Sequence, residues 1–340
     1  MKIDPYQEVR KYLEESENPL FFFDDDPDGL CSYLLLKKCI DRGYGIVVKS
    51  APELPSTYLK AVKRNNPDRI FILDKPLVNE DFISQAPVPI IWIDHHGNIN
   101  PNGVKYYNPK NFNQSFPTSY FCYKVTEENQ WLATIGCISD WYKPDFLKEF
   151  STNYPDILPN PDLSIEEISF DTPLTKISKI FRFILKGKAE DVERSVRYIE
   201  RISDPHELLG NKTKESKFIL KHYEKINKQY EAILEGALKT KSDGNFFIYI
   251  YSSTETSLTS YLSNELIHRL KGKVIIIGRE KDDRLNLSIR CPFTNILEPL
   301  TKSIKDLDAT GGGHDHACGA NVSKKDFNQF ISNLKKNIKN

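Results

Sequence analysis

The 340-residue chain carries no net charge, because 47 Lys and Arg balance 47 Asp and Glu. A global field for polyanions is therefore excluded, and any nucleic-acid contact has to rest on local basic patches. No apolar run approaches the length of a membrane span, and the opening MKIDPYQEVR lacks the apolar core of a signal peptide. These absences predict a cytoplasmic protein with no membrane partner. None of the six Cys (Cys31, Cys39, Cys122, Cys137, Cys291 and Cys318) stands in a C-x-x-C pair. Neither a zinc finger nor a disulfide framework is expected, and the thiols should be reduced and buried. Internal repeats and low-complexity segments are also missing.

What is present suits a globular chain: 39% hydrophobic and 28% charged residues, with length enough for two domains. Apolar β-rich runs at 19–24, 45–49, 70–74 and 88–94 alternate with helical patterns at 5–16, 29–41, 55–65 and 118–137. That alternation predicts an α/β fold with a parallel sheet, and the near-continuous apolar runs predict a sheet covered on both faces. Residues 151–175 read as a loop or insertion, and 176–202 as helical. A long helix is expected over 212–241, a span with eight Lys against four Glu. It reads either as a solvated linker or as a face that tracks a phosphate backbone. A second, smaller α/β domain follows, with strands at 245–253, 273–280 and 284–291, a helix at 257–272 and a last helix near 325–338.

Residues 21–30, FFFDDDPDGL, open like a calcium loop, with Asp24, Asp26 and Asp28 alternating before Gly29. The bidentate Glu that such a loop needs at its twelfth position is Leu35 here, and a strand rather than a helix precedes it. The acids thus sit on a strand-to-helix turn. Asp74 ends the run IFIL and Asp94 ends IIWI, so three strands finish in an acid. Ligands of open α/β sheets bind beyond the carboxyl ends of the strands, which brings these acids to one edge. Two histidines, His95 and His96, adjoin Asp94. Carboxylates crowded this way repel one another, and a pair of divalent cations relieves the repulsion. Mixed carboxylate and imidazole donors suit manganese or a similar ion, and two such ions are a standard device for hydrolysing phosphate esters. Asp140 ends a helical segment, where the helix dipole disfavours it, which points to a ligand role. Near the C-terminus, Gly311, Gly312 and Gly313 give backbone N–H groups freedom to approach an anion. Arg290 and His314 add charge and hydrogen-bond donors.

Together these motifs resemble the DHH phosphoesterase superfamily, in its RecJ-like branch with a C-terminal DHHA1 domain. DDDPDG is similar to the first motif, Asp74 to the second, Asp94-His95-His96 to the third and Asp140 to the fourth. LSIR and GGGHDHACGA resemble the DHHA1 substrate-binding motifs. The resemblance implies a DHH catalytic domain at 1–205, a helical linker at 206–242 and a DHHA1 substrate-binding domain at 243–340. It implies two divalent metal ions, Mn2+ foremost with Mg2+ or Co2+ as alternatives. Asp24, Asp26, Asp28, Asp74, His95 and Asp140 would be their ligands, with Asp74 bridging. His96 would act at the scissile phosphate and Asp94 would orient the ligand shell, while Arg290, Gly311, Gly312, Gly313 and His314 would bind the substrate. The chain has no room for the OB-fold of longer bacterial RecJ proteins, and it looks more like the compact archaeal RecJ-like nucleases. The activity implied is exonuclease cleavage of single-stranded DNA or RNA, 3′→5′, in DNA repair, replication or RNA turnover, with a replication or repair helicase as a candidate partner. Two alternatives stand beside it: a nanoRNase or cyclic-dinucleotide phosphodiesterase, and a non-catalytic replication scaffold. Tyr106, Tyr107 and Phe112 are candidates for base stacking, with core packing as the competing role.

Overall fold

A computed structural model describes residues 4–49, 52–97, 99–252 and 257–339. It divides into two compact units, Met1–Glu224 and Lys225–Asn340.

The first unit is built on a five-stranded parallel sheet: β1 (Pro19–Asp24), β2 (Tyr44–Val48), β3 (Arg69–Leu73), β4 (Ile90–Ile93) and β5 (Lys105–Tyr107). The spatial order is β2-β1-β3-β4-β5, and every pairing is parallel. The order reverses between β1 and β3, and an open α/β sheet forms its ligand crevice at that switch point. β1 is buried along nearly its whole length, as the run PLFFFD demands. Phe21, Phe22 and Phe23 are fully buried, each contributing roughly 1.5–3 kcal/mol. Helix α1 (Pro5–Glu15) precedes the sheet, and α2 (Pro27–Ile40) follows β1 directly. α2 lies in the core from Pro27 to Leu36, with Tyr33 stacked on Phe23 at 4.7 Å between centroids. Helices α3 (Leu59–Asn65) and α4 (Glu80–Gln85) complete the sheet's connections.

The single helix expected over 118–137 is two: α5 (Thr118–Thr126) and α6 (Gln130–Ser139). Glu127 and Asn129 both adopt left-handed backbone angles, φ 56°, which end one helix and admit the next. The stretch 151–175, expected to be a loop or insertion, is helical over about half its length. It holds the end of α7 (Leu147–Asn153), all of α8 (Ile165–Asp171) and the start of α9 (Leu174–Phe183). Ser164 and Glu167 form a capping box that starts α8, a signal present in the sequence but outweighed by the Pro and Asn around it. Helices α10 (Ala189–Ile199) and α11 (Pro205–Leu209) follow. The long α12 (Lys214–Leu238) contains the division between the units.

The second unit has a mixed sheet of β6 (Phe246–Ser252), β7 (Val274–Lys281), β8 (Arg284–Arg290), β9 (Ala309–His314) and β10 (Ala317–Ser323). Its order is β9-β10-β8-β7-β6. Ser253, the last residue of the expected first strand, lies outside the described residues. Helices α13 (Thr259–Arg269), α14 (Leu297–Ser303) and α15 (Phe327–Lys339) belong to the same unit. Its core gathers Val274, Ile276, Leu287, Ile289, Phe330 and Leu334 among others.

Candidate metal centre

The carboxyl ends of β1, β3 and β4 bring the acids together. Asp24 is the last residue of β1, and Asp26 caps α2 by accepting a hydrogen bond from Gly29 N at 2.9 Å. Gly29 is required there, because a Cβ would lie 2.7 Å from the backbone nitrogen of Asp24. Asp74 follows β3 in a left-handed conformation, φ 59°, while its N–H still bonds to Ile93 O at 2.9 Å. The turn aims the side chain at the cluster, a placement of backbone strain that recurs at functional sites.

Three overlapping sets of side chains have ligand atoms close enough to share a cation: Asp24, Asp26 and Asp74; Asp74, His95 and His96; Asp28, His95 and Asp140. Asp74 belongs to two sets, and so does His95. His95 Nε2 lies 3.3 Å from Asp74 Oδ1, 3.6 Å from Asp140 Oδ2 and 4.0 Å from Asp28 Oδ2. Burial and mutual repulsion act together on the acids. Asp74 is pushed well above the usual carboxylate range, by burial first and then by Asp28, Asp26, Asp24 and Asp140. Burial likewise raises Asp140, Asp28 and Asp24. Burial lowers His95, which favours the neutral imidazole that binds metals. A set of oxygen donors with two imidazoles fits divalent ions of the manganese and magnesium kind.

Two acids are spoken for in other ways. Asp28 is buried, and its two oxygens accept hydrogen bonds from Thr118 N and Ser119 N, both at 2.9 Å. It therefore also caps the N-terminus of α5. Asp94 joins none of the three sets. Its carboxylate accepts from His96 N at 2.9 Å and contacts His96 Nδ1 at 2.7 Å. That contact makes Nδ1 the donor, and the same nitrogen lies 3.8 Å from Asp74 Oδ1. Burial alone would lower His96, but the bond to Asp94 outweighs it and holds the imidazole above its ordinary value.

Asp140 is placed by the end of α6. Trp141 N donates to Ile138 O at 3.2 Å and Tyr142 N to Cys137 O at 2.9 Å, the paired bonds of a Schellman motif. The left-handed position of that motif, normally glycine, is Trp141 at φ 61°, a conformation that costs roughly 1–2 kcal/mol.

In the second unit, Arg290 and His314 line one cavity of about 350 Å³, with Ser260, Ser288 and Gly319. Arg290 Nε donates to Asn264 Oδ1 at 2.7 Å, and burial lowers the guanidinium to about 10. Gly311, Gly312 and Gly313 belong to β9, the edge strand, paired with Ala320, Gly319 and Cys318. Gly313 is still needed as glycine, since at φ 147° a Cβ would meet Ala317 O at 2.4 Å. Gly319, on the neighbouring strand, lines the cavity instead.

Residues 243–340 match the family model of the DHHA1 domain. RecJ from Thermus thermophilus, solved with Mn2+, superposes with a TM-score of 0.69 at 13% identity, over 99% of this chain and 55% of that one. The chain therefore spans little more than half of that RecJ. A second RecJ exonuclease, bound to manganese, gives 0.63 at 13% identity over 98% of this chain and 94% of the other. The pGpG-specific phosphodiesterase PggH from Vibrio cholerae gives 0.51 at 13% identity over 94% and 99%. No curated protein matches in sequence. Residues 243–340 carry a DHHA1 domain, and the chain has a RecJ-like fold.

Within this RecJ-like frame, several residues at the site were not singled out by sequence reasoning. Lys75 is fully buried and donates from Nζ to Asp24 Oδ1 at 2.7 Å. Thr118 donates from Oγ1 to Asp74 at 3.2 Å. Lys49 and Lys186 hold Asp25, at 2.8 and 3.2 Å. Lys75 and Lys49 both sit at strand ends on the ligand edge, which was the available signal. Of the aromatic candidates, Tyr107 is buried and Tyr106 packs on Trp92 at 5.0 Å, while Phe112 is exposed.

Proposed function

We propose that this chain is a metal-dependent phosphodiesterase that removes nucleotides from single-stranded DNA or RNA, in the 3′→5′ direction. The observation that carries the reading is the sharing of Asp74 and His95 among three adjacent ligand sets. Shared ligands are what a dinuclear centre requires, because one carboxylate must serve both ions. Asp24, Asp26 and Asp74 would hold one cation, and Asp28, Asp74, His95 and Asp140 the other, with Mn2+ the best fit to the donors. Such a pair supplies an activated water and offsets charge on the phosphate oxygens. The chain's own part is to fix the geometry and move a proton. His96, held by Asp94 and kept readily protonated, is suited to donate to the leaving oxygen. Arg290 and His314 would hold substrate phosphates.

The likeness in fold to a pGpG-specific phosphodiesterase supports a second reading, in which the substrate is a dinucleotide. The two-metal claim is tested by calorimetric titration with Mn2+ and by Asp74→Ala. Two ions per chain are expected, and loss of hydrolysis in the variant. One ion, or substantial hydrolysis without Asp74, would contradict the assignment.

A further inference from the structure

Among the described residues, Trp141 combines a left-handed backbone with an exposed aromatic side chain. It stands at a left-handed position that a Schellman motif reserves for glycine, φ 61°. A bulky side chain there is a genuine outlier. The ring is 40% exposed, whereas Trp92 and Trp131, the other two tryptophans, are 1% and 3% exposed. Phe170 supports it from one side, ring centroids 6.0 Å apart. Its backbone neighbour is Asp140, whose carboxylate reaches to 3.6 Å from His95. A strained, exposed indole thus directly follows a candidate metal ligand in the chain.

We infer that Trp141 is a stacking platform for the nucleobase of the nucleotide being cleaved. The inference rests on the phosphodiesterase reading above and adds how the substrate is read. Base and phosphate of a nucleotide are separated by one sugar, and consecutive Cα atoms lie about 3.8 Å apart, so on this inference the Trp141 ring is set against the base while the phosphate lies at the centre. Stacking tolerates any base, because each has a π-face, and it is lost on replacement by an aliphatic side chain. The same platform serves the base of a strand end or of a dinucleotide.

The test compares Trp141→Leu and Trp141→Phe with wild type in the full chain, using Mn2+ and two substrates: a short single-stranded oligonucleotide and a dinucleotide. The oligonucleotide is also made with an abasic residue at its 5′ end or at its 3′ end. Trp141→Leu should raise KM about tenfold on the intact substrate, within the range of base stacking, with a smaller change in kcat. Trp141→Phe should restore most of the loss. On the strand whose abasic residue occupies the platform, wild type and Trp141→Leu should have equal KM. An effect on the oligonucleotide alone assigns the platform to a strand end, and an effect on both substrates to the cleaved nucleotide of either. An unchanged KM in Trp141→Leu, or an equal rise on abasic and intact strands, would overturn the inference while leaving the phosphodiesterase reading in place. Binding of Mn2+ with no turnover of either substrate by wild type would overturn both.

Discussion

Replacing Asp74 with Asn should stabilise the metal-free protein and yet leave it less stable than wild type once manganese is added. Asp74 is 1% exposed and faces Asp28, Asp26, Asp24 and Asp140, so its ionised form is costly in the folded state. Asn has nearly the same volume and still accepts the Thr118 hydrogen bond, which leaves electrostatics as the main change. Two like charges 4 Å apart at an effective dielectric of 20 repel by about 4 kcal/mol as an upper bound. Neighbours that are partly protonated reduce this. A net gain on the order of 1–3 kcal/mol is expected, within the usual range for one substitution. At roughly 2–4 °C per kcal/mol for a domain of this size, the melting temperature in EDTA should rise by several degrees. Manganese reverses the order, since an ion at a hundredfold its Kd adds about 2.7 kcal/mol to the wild type and little to a variant lacking the shared ligand. The pH dependence has a definite sign. A carboxyl raised on folding binds more protons folded than unfolded, so wild type in EDTA loses stability as pH climbs above about 4, the ordinary carboxylate value. Asp74→Asn should flatten that decline. Thermal unfolding in EDTA and in Mn2+ at several pH values reads all of this. A variant less stable than wild type in EDTA, or equally stabilised by manganese, would refute the electrostatic reasoning.

The other acids and bases of the centre should behave differently. Asp28→Ala should destabilise the protein even without metal, by roughly 2–4 kcal/mol, because it leaves two buried N–H groups of α5 unpaired. Denaturant unfolding in EDTA checks this, and a change under about 0.5 kcal/mol would argue against the cap. Lys75→Met removes a buried cation from Asp24. It should lower stability in EDTA, as breaking a buried pair does, and tighten Mn2+ binding, because the ammonium no longer competes for the carboxylate. Weaker Mn2+ binding in calorimetry would show instead that Lys75 holds Asp24 in its ligating position. Arg290→Ala should raise KM more than it lowers kcat if the arginine grips substrate rather than the reacting group. Steady-state kinetics on one oligonucleotide would reveal the opposite split.

Much of the first unit was legible because its strands are apolar runs that end in acids. PLFFFD, RIFIL and IIWI fix where the sheet lies, and Asp24, Asp74 and Asp94 fix its ligand edge. His95 follows Asp94 on that edge, whereas Asp140 comes from a different element and was drawn in by the helix-dipole argument and the resemblance. What the sequence hid depends on contacts made only in three dimensions. Asp28 reads like its neighbours Asp24 and Asp26, but a helix starting ninety residues later takes both its oxygens. Asp94 was expected to orient the ligand shell, and the partner it holds, His96, is visible only in the fold. The break at Glu127 and Asn129 was hidden because both are polar residues within a helical pattern, and only their left-handed backbone ends α5. The glycine run carried no strand signal because Gly has no strand preference, yet pairing with β10 makes it an edge strand. Trp141 gave no local signal at all, since nothing in sequence marks a tryptophan that takes the place of glycine.

The most direct measurement is a manganese-dependent digestion of single-stranded DNA and RNA, each labelled separately at the 5′ and 3′ ends. Metal-dependent loss of nucleotides from the 3′ end, abolished by EDTA and by Asp74→Ala, is the result predicted here. Intact strands in the presence of bound manganese, with rapid cleavage of dinucleotides, would contradict the exonuclease reading and place the activity on small substrates.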